Sequence, residues 1–252
     1  MGNLDYQRAL KEDYVPERRG FRNIAWLLTA ALLTVFIWQI PFGDYLLYPF
    51  SILATWFHEM GHGITALIMG QEFRQLLIFP NGSGVAYHTA GGALSGALVA
   101  AGGLLGPPIA GCIFILNSTS AKRSQLLLSL LGLVLLISTV IWVRTTFGWV
   151  ILPLMGVSLL AIAGKGPMWL QQVVIQFLGV QACISTYRQL DYLFMESANV
   201  GGKQMLSDTG HIAEALLLPY WIWGSVIACT SFFLLAMSLW HVARTPVKNT
   251  RL

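Results

Sequence analysis

The chain has 252 residues, of which 56% are hydrophobic and only 10% are charged, and its formal net charge is +4. Soluble domains carry about 25% charged residues, so this composition excludes an ordinary soluble protein and indicates a polytopic membrane protein. A transmembrane helix needs about 20 apolar residues, so the chain has room for about six or seven spans and none for a separate soluble domain. The small positive charge suits basic cytoplasmic loops and gives no reason to expect nucleic acid as a partner.

Residues 1–22 are polar and rich in basic side chains. Because basic residues accumulate on the cytoplasmic side of a membrane, we expect 1–22 to be a cytoplasmic N-terminal segment and 23–252 to form one membrane-embedded domain. The first apolar run, Asn23 to Ile40, is too long for the apolar region of a signal peptide and lacks a small-residue cleavage site. It therefore predicts the first transmembrane helix.

The second predicted span, Leu46 to Met69, contains an H-E-x-x-H motif formed by His58, Glu59 and His62. On a helix this spacing places both imidazoles on one face, where they can bind one Zn²⁺ with Glu59 beside them as general base. The alternative interpretation of such a motif is a pair of structural histidines whose ring nitrogens are hydrogen-bonded at a helix interface. Ionisable groups at membrane depth are costly and mark functional sites, which favours the metal site here.

A turn-forming run, P-N-G-S-G, follows between two segments of strand-like composition, Phe73–Phe79 and Val85–Thr89. This pattern predicts a β-hairpin at the membrane face. Its exposed edge is able to hold an extended substrate by strand addition. The alternative is an ordinary connecting hairpin.

The segment from Ala90 to Leu116 is apolar and crowded with glycine, and Gly106 is followed by two prolines. Proline breaks or kinks a helix, so we expect either one kinked span or a span plus a re-entrant piece. Irregular backbone at membrane depth lines a cavity or packs in protein, and we expect this segment to line a path for water to the motif.

The remaining apolar runs are residues 126–143, 147–163, 168–185 and 220–240, and we interpret the first three as scaffold helices because they contain no ionisable residue. The three cysteines lie in apolar runs without a C-x-x-C pair, and we expect them to be buried small hydrophobes: Cys112, Cys183 and Cys229. A short helix before the last span begins with Ser207 as N-cap and Asp208 in its first turn, and Pro219 ends or kinks it.

Four sequence blocks resemble the site-2-protease family of intramembrane zinc metalloproteases, particularly its small bacterial branch. They are F-H-E-M-G-H-G (Phe57–Gly63), F-P-N-G-S-G-V (Phe79–Val85), A-G-G-L-L-G-P-P (Ala101–Pro108) and S-D-T-G-H-I-A-E-A-L (Ser207–Leu216). The family holds zinc with two histidines and one aspartate, and the motif glutamate acts on the bound water. The resemblance therefore implies zinc ligands at His58 and His62 and a catalytic base at Glu59.

The third ligand is less directly given, because the chain lacks the L-D-G sequence that supplies it in better-known members of the family. Asp208 resembles the equivalent of the small branch, and its alternative interpretation is a helix-capping carboxylate. Asp191 is the rival ligand, and His88 and His211 are further candidates.

From the resemblance we expect an all-α polytopic membrane protein with six to seven transmembrane helices and a short β-hairpin after the second. Its function would be zinc-dependent endopeptidase hydrolysis of membrane-protein or peptide substrates, in the bacterial cytoplasmic membrane. The alternative function is a catalytically inactive membrane scaffold or assembly subunit that retains the protease fold. A metal or proton carrier would need ionisable residues in several spans, which the scaffold helices lack.

Overall fold

The computed structural model of the chain describes residue 29 and residues 31–188, 190–200 and 203–244. The predicted cytoplasmic segment 1–22 and most of the predicted first span lie outside the described residues, although residues 31–39 are helical. The elements that follow begin with α1 (Gly43–Ile68), β1 (Phe73–Ile78), β2 (Gly84–His88), α2 (Ala93–Asn117), α3 (Ala121–Ile141), α4 (Thr146–Lys165) and α5 (Met168–Arg188). They end with α6 (Leu190–Leu193), β3 (Ser197–Val200), β4 (Lys203–Leu206), α7 (Asp208–Leu216) and α8 (Tyr220–Arg244).

Within the described residues, five helices are long and apolar enough to cross a membrane: α2, α3, α4, α5 and α8. Their outer faces carry large exposed apolar side chains, such as Val140 at 66% exposure and Phe233 at 64%. Such surfaces are stable where lipid covers them. The helix α1, at 26 residues, is also long, but it is not one of the five, since the polar residues of the motif lower its mean hydropathy. The expected helical membrane fold with a β-hairpin is thus confirmed.

The chain leaves α1 through a glycine and enters the predicted hairpin. The N–H of Met69 donates to Thr65 at 2.9 Å, and Gly70 takes a φ of 75°, a left-handed conformation that glycine adopts without strain. Strands β1 and β2 then pair antiparallel, with Leu76 opposite Ala86. The hairpin turn is held against α1 by the hydroxyl of Thr55, which donates to the carbonyl of Gly82 at 2.6 Å.

The two edges of this hairpin differ. The outer edge of β1 is paired with the α3–α4 connection, because the N–H of Leu76 donates to Trp142 at 2.8 Å and the N–H of Arg144 donates back to Leu76 at 3.0 Å. The opposite strand, β2, lies against α1 and borders the cavity that contains the motif. The edge available for another strand is therefore the one beside His58 and Glu59.

The glycine-rich segment forms a single helix, α2, that packs tightly on α1. Of the two alternatives that the sequence left open, the structure has one continuous helix, with both prolines inside it. A Cβ added at Gly61 would overlap the backbone of Gly102, and one added at Gly102 would overlap the Thr65 side chain. These glycines therefore allow close helix contact, as in small-residue packing of membrane helices. The water path expected along this segment stays a prediction.

The main core lies between α1, the hairpin and α3 to α5, where the largest fully buried side chains include Ile52, Leu76, Ile78, Leu128, Leu135, Leu152 and Ile175. The helix α7 begins as predicted, because Ser207 Oγ accepts the N–H of Gly210 at 3.0 Å and serves as N-cap. The core thus holds α1 in place, and α7, which lies near the other end of the chain, brings its first turn to the motif of α1.

Two features of the fold differ from the sequence expectations. A second antiparallel hairpin, β3–β4, precedes α7 and was not predicted, although its strands are separated by Gly201-Gly202, the two-residue spacing of a tight hairpin. Of the cysteines, Cys112 and Cys183 are buried as expected, but Cys229 is exposed on α8. Cys229 lies on a helix that packs on its neighbours by one face only, so a small apolar side chain there faces outward.

Candidate metal centre

The two motif histidines meet on the inner face of α1. They are one helical turn apart, and their Nε2 atoms lie 3.1 Å from each other. Nδ1 of His62 lies 2.9 Å from the carbonyl oxygen of Val99 on α2. A carbonyl only accepts, so Nδ1 carries the proton and Nε2 of neutral His62 carries the lone pair that a metal requires. The hydrogen bond to Val99 therefore orients His62 as a ligand.

Asp208 reaches the same point from α7. Its Oδ2 lies 3.0 Å from Nε2 of His58, and its Oδ1 lies 3.4 Å from Nε2 of His62. The carboxylate is buried, at 8% exposure. The structure thus brings together His58, His62 and Asp208 across 150 residues of sequence, from position 58 to position 208.

The geometry of these three side chains fits a zinc ion. Ligand atoms at about 2.0–2.1 Å from a tetrahedral zinc stand roughly 3.3–3.4 Å apart, close to the 3.0, 3.1 and 3.4 Å between the donor atoms here. Asp208 Oδ2 is buried and, apart from Nε2 of His58 at 3.0 Å, has no hydrogen-bond partner among the described residues. Lone pairs that converge in a buried place need a cation between them, and these three residues form the one such metal-ligating group in the described ranges.

The charge state of Asp208 also suits a ligand. Burial alone would raise the pKa of this carboxyl group, but the positive charge that His62 and His58 carry when protonated holds that pKa well below its ordinary range. A metal ion in place of those protons would favour the same ionised state of Asp208, which is the state in which a carboxylate binds a metal ion.

Glu59 is buried beside these ligands, at 6% exposure, but is not one of the three converging groups. Strand β2 passes close to it at Gly84, where an added Cβ would lie 2.7 Å from the Glu59 Cγ. The N–H of Ala86 approaches the carboxylate. Glu59 is thus placed between the candidate ligands and the free edge of β2.

A cavity of about 210 Å³ opens over these groups. Its floor includes His58, Glu59, His62 and Asp208, and its walls come from both hairpins: Gly84, Val85, Ala86 and His88 of β2, and Met205 and Leu206 of β4. Glu59, the three candidate ligands and the open edge of β2 therefore border the same cavity.

The other predicted ligand candidates lie apart from this group. Asp191 is exposed and is not one of the converging residues. His88 and His211 line the cavity, and Nδ1 of His88 lies 2.9 Å from Oε1 of Gln71. Of the four candidates for a third ligand, only Asp208 is placed within reach of both histidines.

Two features of the site have no sequence signal that identifies them. The carbonyl of Val99 belongs to the backbone, and Tyr192, which lines the cavity, follows an ordinary Leu190-Asp191 pair. Neither residue lies in a recurring sequence pattern. Their role comes from the contacts that Val99 on α2 and Tyr192 on α6 make with the histidines of α1.

Fold and site together define a helical membrane protein with a candidate metal centre made of two histidines and one aspartate, beside a buried glutamate. The family model described as Peptidase M50B-like matches residues 26–238. The chain belongs to this family, and the site-2-protease relationship expected from its motifs is confirmed. Searches of curated proteins and of solved structures returned no significant match.

Proposed function

We propose that the chain is a zinc-dependent intramembrane endopeptidase that cleaves membrane-protein or peptide substrates. The observation that supports this proposal is the convergence of His58, His62 and Asp208 beside Glu59 in one cavity. Membership in a peptidase family gives the reaction class. We expect the protein to work in the bacterial cytoplasmic membrane with its N-terminus in the cytoplasm.

The three residues would hold a zinc ion, which would supply an activated water molecule and polarise the scissile carbonyl. Glu59 then acts as general base and accepts the proton of the attacking water. As the C–N bond breaks, Glu59 donates this proton to the leaving amine nitrogen. His62 keeps its orientation throughout, because its other ring nitrogen is bonded to Val99.

An extended substrate would occupy the free edge of β2. The outer edge of β1 is already paired, whereas β2 borders the cavity. Addition of a strand satisfies the backbone groups of both partners, and it would draw the substrate across Glu59. Substrate segments that unwind from a helix easily are therefore the expected targets.

Water would reach the site from the side of α5. A cavity of about 340 Å³ lies there, and the polar residues of its mixed lining include Ser51, Thr55, Asn81, Gln181 and Ser185. It shares Ala54 and Ser185 with a narrow space of about 10 Å³ that touches His58. Such a space holds roughly one water molecule. The narrow space is also lined by Leu104 and Pro107 of α2, so the path would include part of the segment that was expected to line it.

The proposed activity is tested with purified protein in liposomes and a panel of single-span reporter peptides that carry a fluorophore and a quencher. We expect the zinc-loaded wild type to cleave reporters with helix-breaking residues, and Glu59→Gln to lose cleavage. Glu214→Gln, the same change at an exposed position of α7, is the matched control and should cleave like the wild type. If the zinc-loaded wild type cleaves no reporter, the scaffold function replaces the protease.

A further inference from the structure

Tyr192 stands beside the candidate metal centre without belonging to its ligands. It lies on α6, and its ring packs edge-on against His58, with centroids 6.3 Å apart and an interplanar angle of 77°. Its Oη lies 3.4 Å from the backbone nitrogen of Asp208. Tyr192 therefore touches one candidate ligand through its ring and another through its hydroxyl group.

The side chain also faces the space where a substrate would bind. Tyr192 lines the cavity above Glu59 and the narrow space beside His58. Glu59 and Asp208 in that cavity are acceptors when ionised, so the side-chain donors of its lining are histidines and the hydroxyl group of Tyr192. A phenol hydroxyl is a neutral donor that needs no change of charge to act.

The hydrogen bond with Asp208 sets the direction of this donor. The backbone N–H of Asp208 donates to Oη, so the hydroxyl proton of Tyr192 points away from that nitrogen. The carboxylate oxygens of Asp208 face the histidines at 3.0 and 3.4 Å. The Asp208 side chain is also a hydrogen-bond partner of the Tyr192 hydroxyl, so the hydroxyl proton would turn to an acceptor in the cavity once the Asp208 oxygens hold a metal ion.

We propose that Tyr192 is a catalytic residue that donates a hydrogen bond to the carbonyl oxygen of the scissile peptide as negative charge develops on it. This inference rests on the proposed function. Tyr192 itself transfers no proton in this step: the water oxygen bonds to the carbonyl carbon, the proton of the water passes to Glu59, and the Tyr192 O–H stabilises the carbonyl oxygen by a hydrogen bond. One donor placed in this way contributes about 100- to 1,000-fold to the rate.

The test is Tyr192→Phe, which removes the hydroxyl group and keeps the ring contact with His58. Tyr187→Phe is the matched control, since the hydroxyl of Tyr187 donates to Ala228 at 3.3 Å between α5 and α8, away from the cavity. Three quantities are measured for the wild type and both variants: zinc content, kcat and KM on a cleaved reporter, and affinity for a phosphinic peptide that mimics the tetrahedral transition state.

We expect Tyr192→Phe to keep its zinc and its KM, and to lose about 100-fold in kcat. Its affinity for the phosphinic peptide should fall by a similar factor, while Tyr187→Phe matches the wild type in all three quantities. The proposal is overturned if Tyr192→Phe stays within about twofold of the wild type in phosphinic peptide affinity. Loss of zinc from Tyr192→Phe overturns it too, since the hydroxyl would then only position Asp208.

The phosphinic peptide keeps this inference separate from the proposed function. Its binding to the zinc-loaded protein needs no turnover, so Tyr192 is tested even if the wild type cleaves no reporter. Absence of cleavage with tight, Tyr192-dependent phosphinic peptide binding would contradict the proposed function, while it would support Tyr192 as the hydrogen-bond donor to a tetrahedral group at this site. Cleavage that is unchanged in Tyr192→Phe would support the proposed function and contradict the role of Tyr192.

Discussion

His62 on α1 and Val99 on α2 are joined by a hydrogen bond of 2.9 Å between Nδ1 and the carbonyl oxygen. This contact links the metal-binding face of one helix to the backbone of its neighbour. It forms because the helices approach closely at Gly61, Gly102 and Gly103, the last of which lies directly against the ring of His62. The glycine-rich helix thus acts on the site through the orientation of a ligand.

The first prediction concerns this contact. A Cβ at Gly103 would overlap the His62 ring, so Gly103→Ala should turn the imidazole away from Val99 and weaken zinc affinity about 10- to 100-fold, the range found for groups that orient ligands. The measurement is zinc affinity by competition with a chromophoric chelator. Gly164→Ala, at a helix position with open space around it, should bind zinc like the wild type. Equal affinities for both variants would show that Gly103 does not set the position of His62.

The second prediction concerns the N-cap that presents Asp208. Ser207 Oγ accepts from Gly210 and donates to the carbonyl of Met195, and the residue is fully buried. Ser207→Ala should lower the free energy of unfolding by about 1–2 kcal/mol and weaken zinc affinity as the start of α7 loosens. Denaturation and chelator competition measure the two effects.

Ser225→Ala is the control for this change, because Ser225 is exposed and bonds only within its own helix, to Trp221. It should leave both quantities within error of the wild type. A Ser207→Ala protein with unchanged stability and zinc affinity would contradict the capping role.

The third prediction concerns the hydrogen bond that holds the hairpin turn. Thr55→Val keeps the shape of the side chain and removes the donor to Gly82, which should cost about 1 kcal/mol of stability. Since β2 would then be less firmly placed beside Glu59, KM for reporters should rise while zinc content stays constant. Thr230→Val removes an exposed intrahelical bond to Val226 and should change neither. A wild-type KM in Thr55→Val would argue against substrate addition to β2.

The fourth prediction concerns water access. In a Cys229→Ser background, which removes the exposed native cysteine, Ser185→Cys should react with a small hydrophilic methanethiosulfonate, and the labelled protein should lose cleavage. Thiol reactivity needs the thiolate and therefore water, so Ser158→Cys on the outer face of α4 should react slowly and keep its activity. A Ser185→Cys protein that does not react with the reagent would exclude the cavity beside α5 as the water path.

The sequence alone was sufficient for features that follow local patterns. The spacing of His58, Glu59 and His62 predicts one helix face, the P-N-G-S-G run predicts the first hairpin, and Ser207-Asp208 predicts the start of α7. Each depends on residues a few positions apart, and the structure has each of these elements.

Other features depend on contacts between distant segments and have no periodicity to detect. The choice of Asp208 over Asp191 follows from how α7 packs against α2, which brings the Asp208 carboxylate to the histidines of α1. Tyr192 and the carbonyl of Val99 matter only because α6 and α2 meet α1 at the ligands. The water path along α2 stays a prediction, since composition shows that backbones approach closely but not which backbone does so.

The β3–β4 hairpin is a different case. Its Gly201-Gly202 pair is a recognised local signal for a hairpin. The flanking strands, Ser197–Val200 and Lys203–Leu206, are only four residues long each. Short strands in a polar segment give little alternation of polar and apolar residues. The glycine pair was therefore the only indication of this hairpin in the sequence. This hairpin nevertheless forms one wall of the cavity through Met205 and Leu206.

The most direct test of the central claim is the zinc content of detergent-purified protein, measured for the wild type, His58→Ala, Asp208→Ala and Glu59→Gln. We predict about one zinc per chain in the wild type and in Glu59→Gln, and none in the other two, because tetrahedral catalytic sites use three protein ligands and Glu59 is the base. A wild type without zinc, or an Asp208→Ala protein that keeps it, would contradict the site described here.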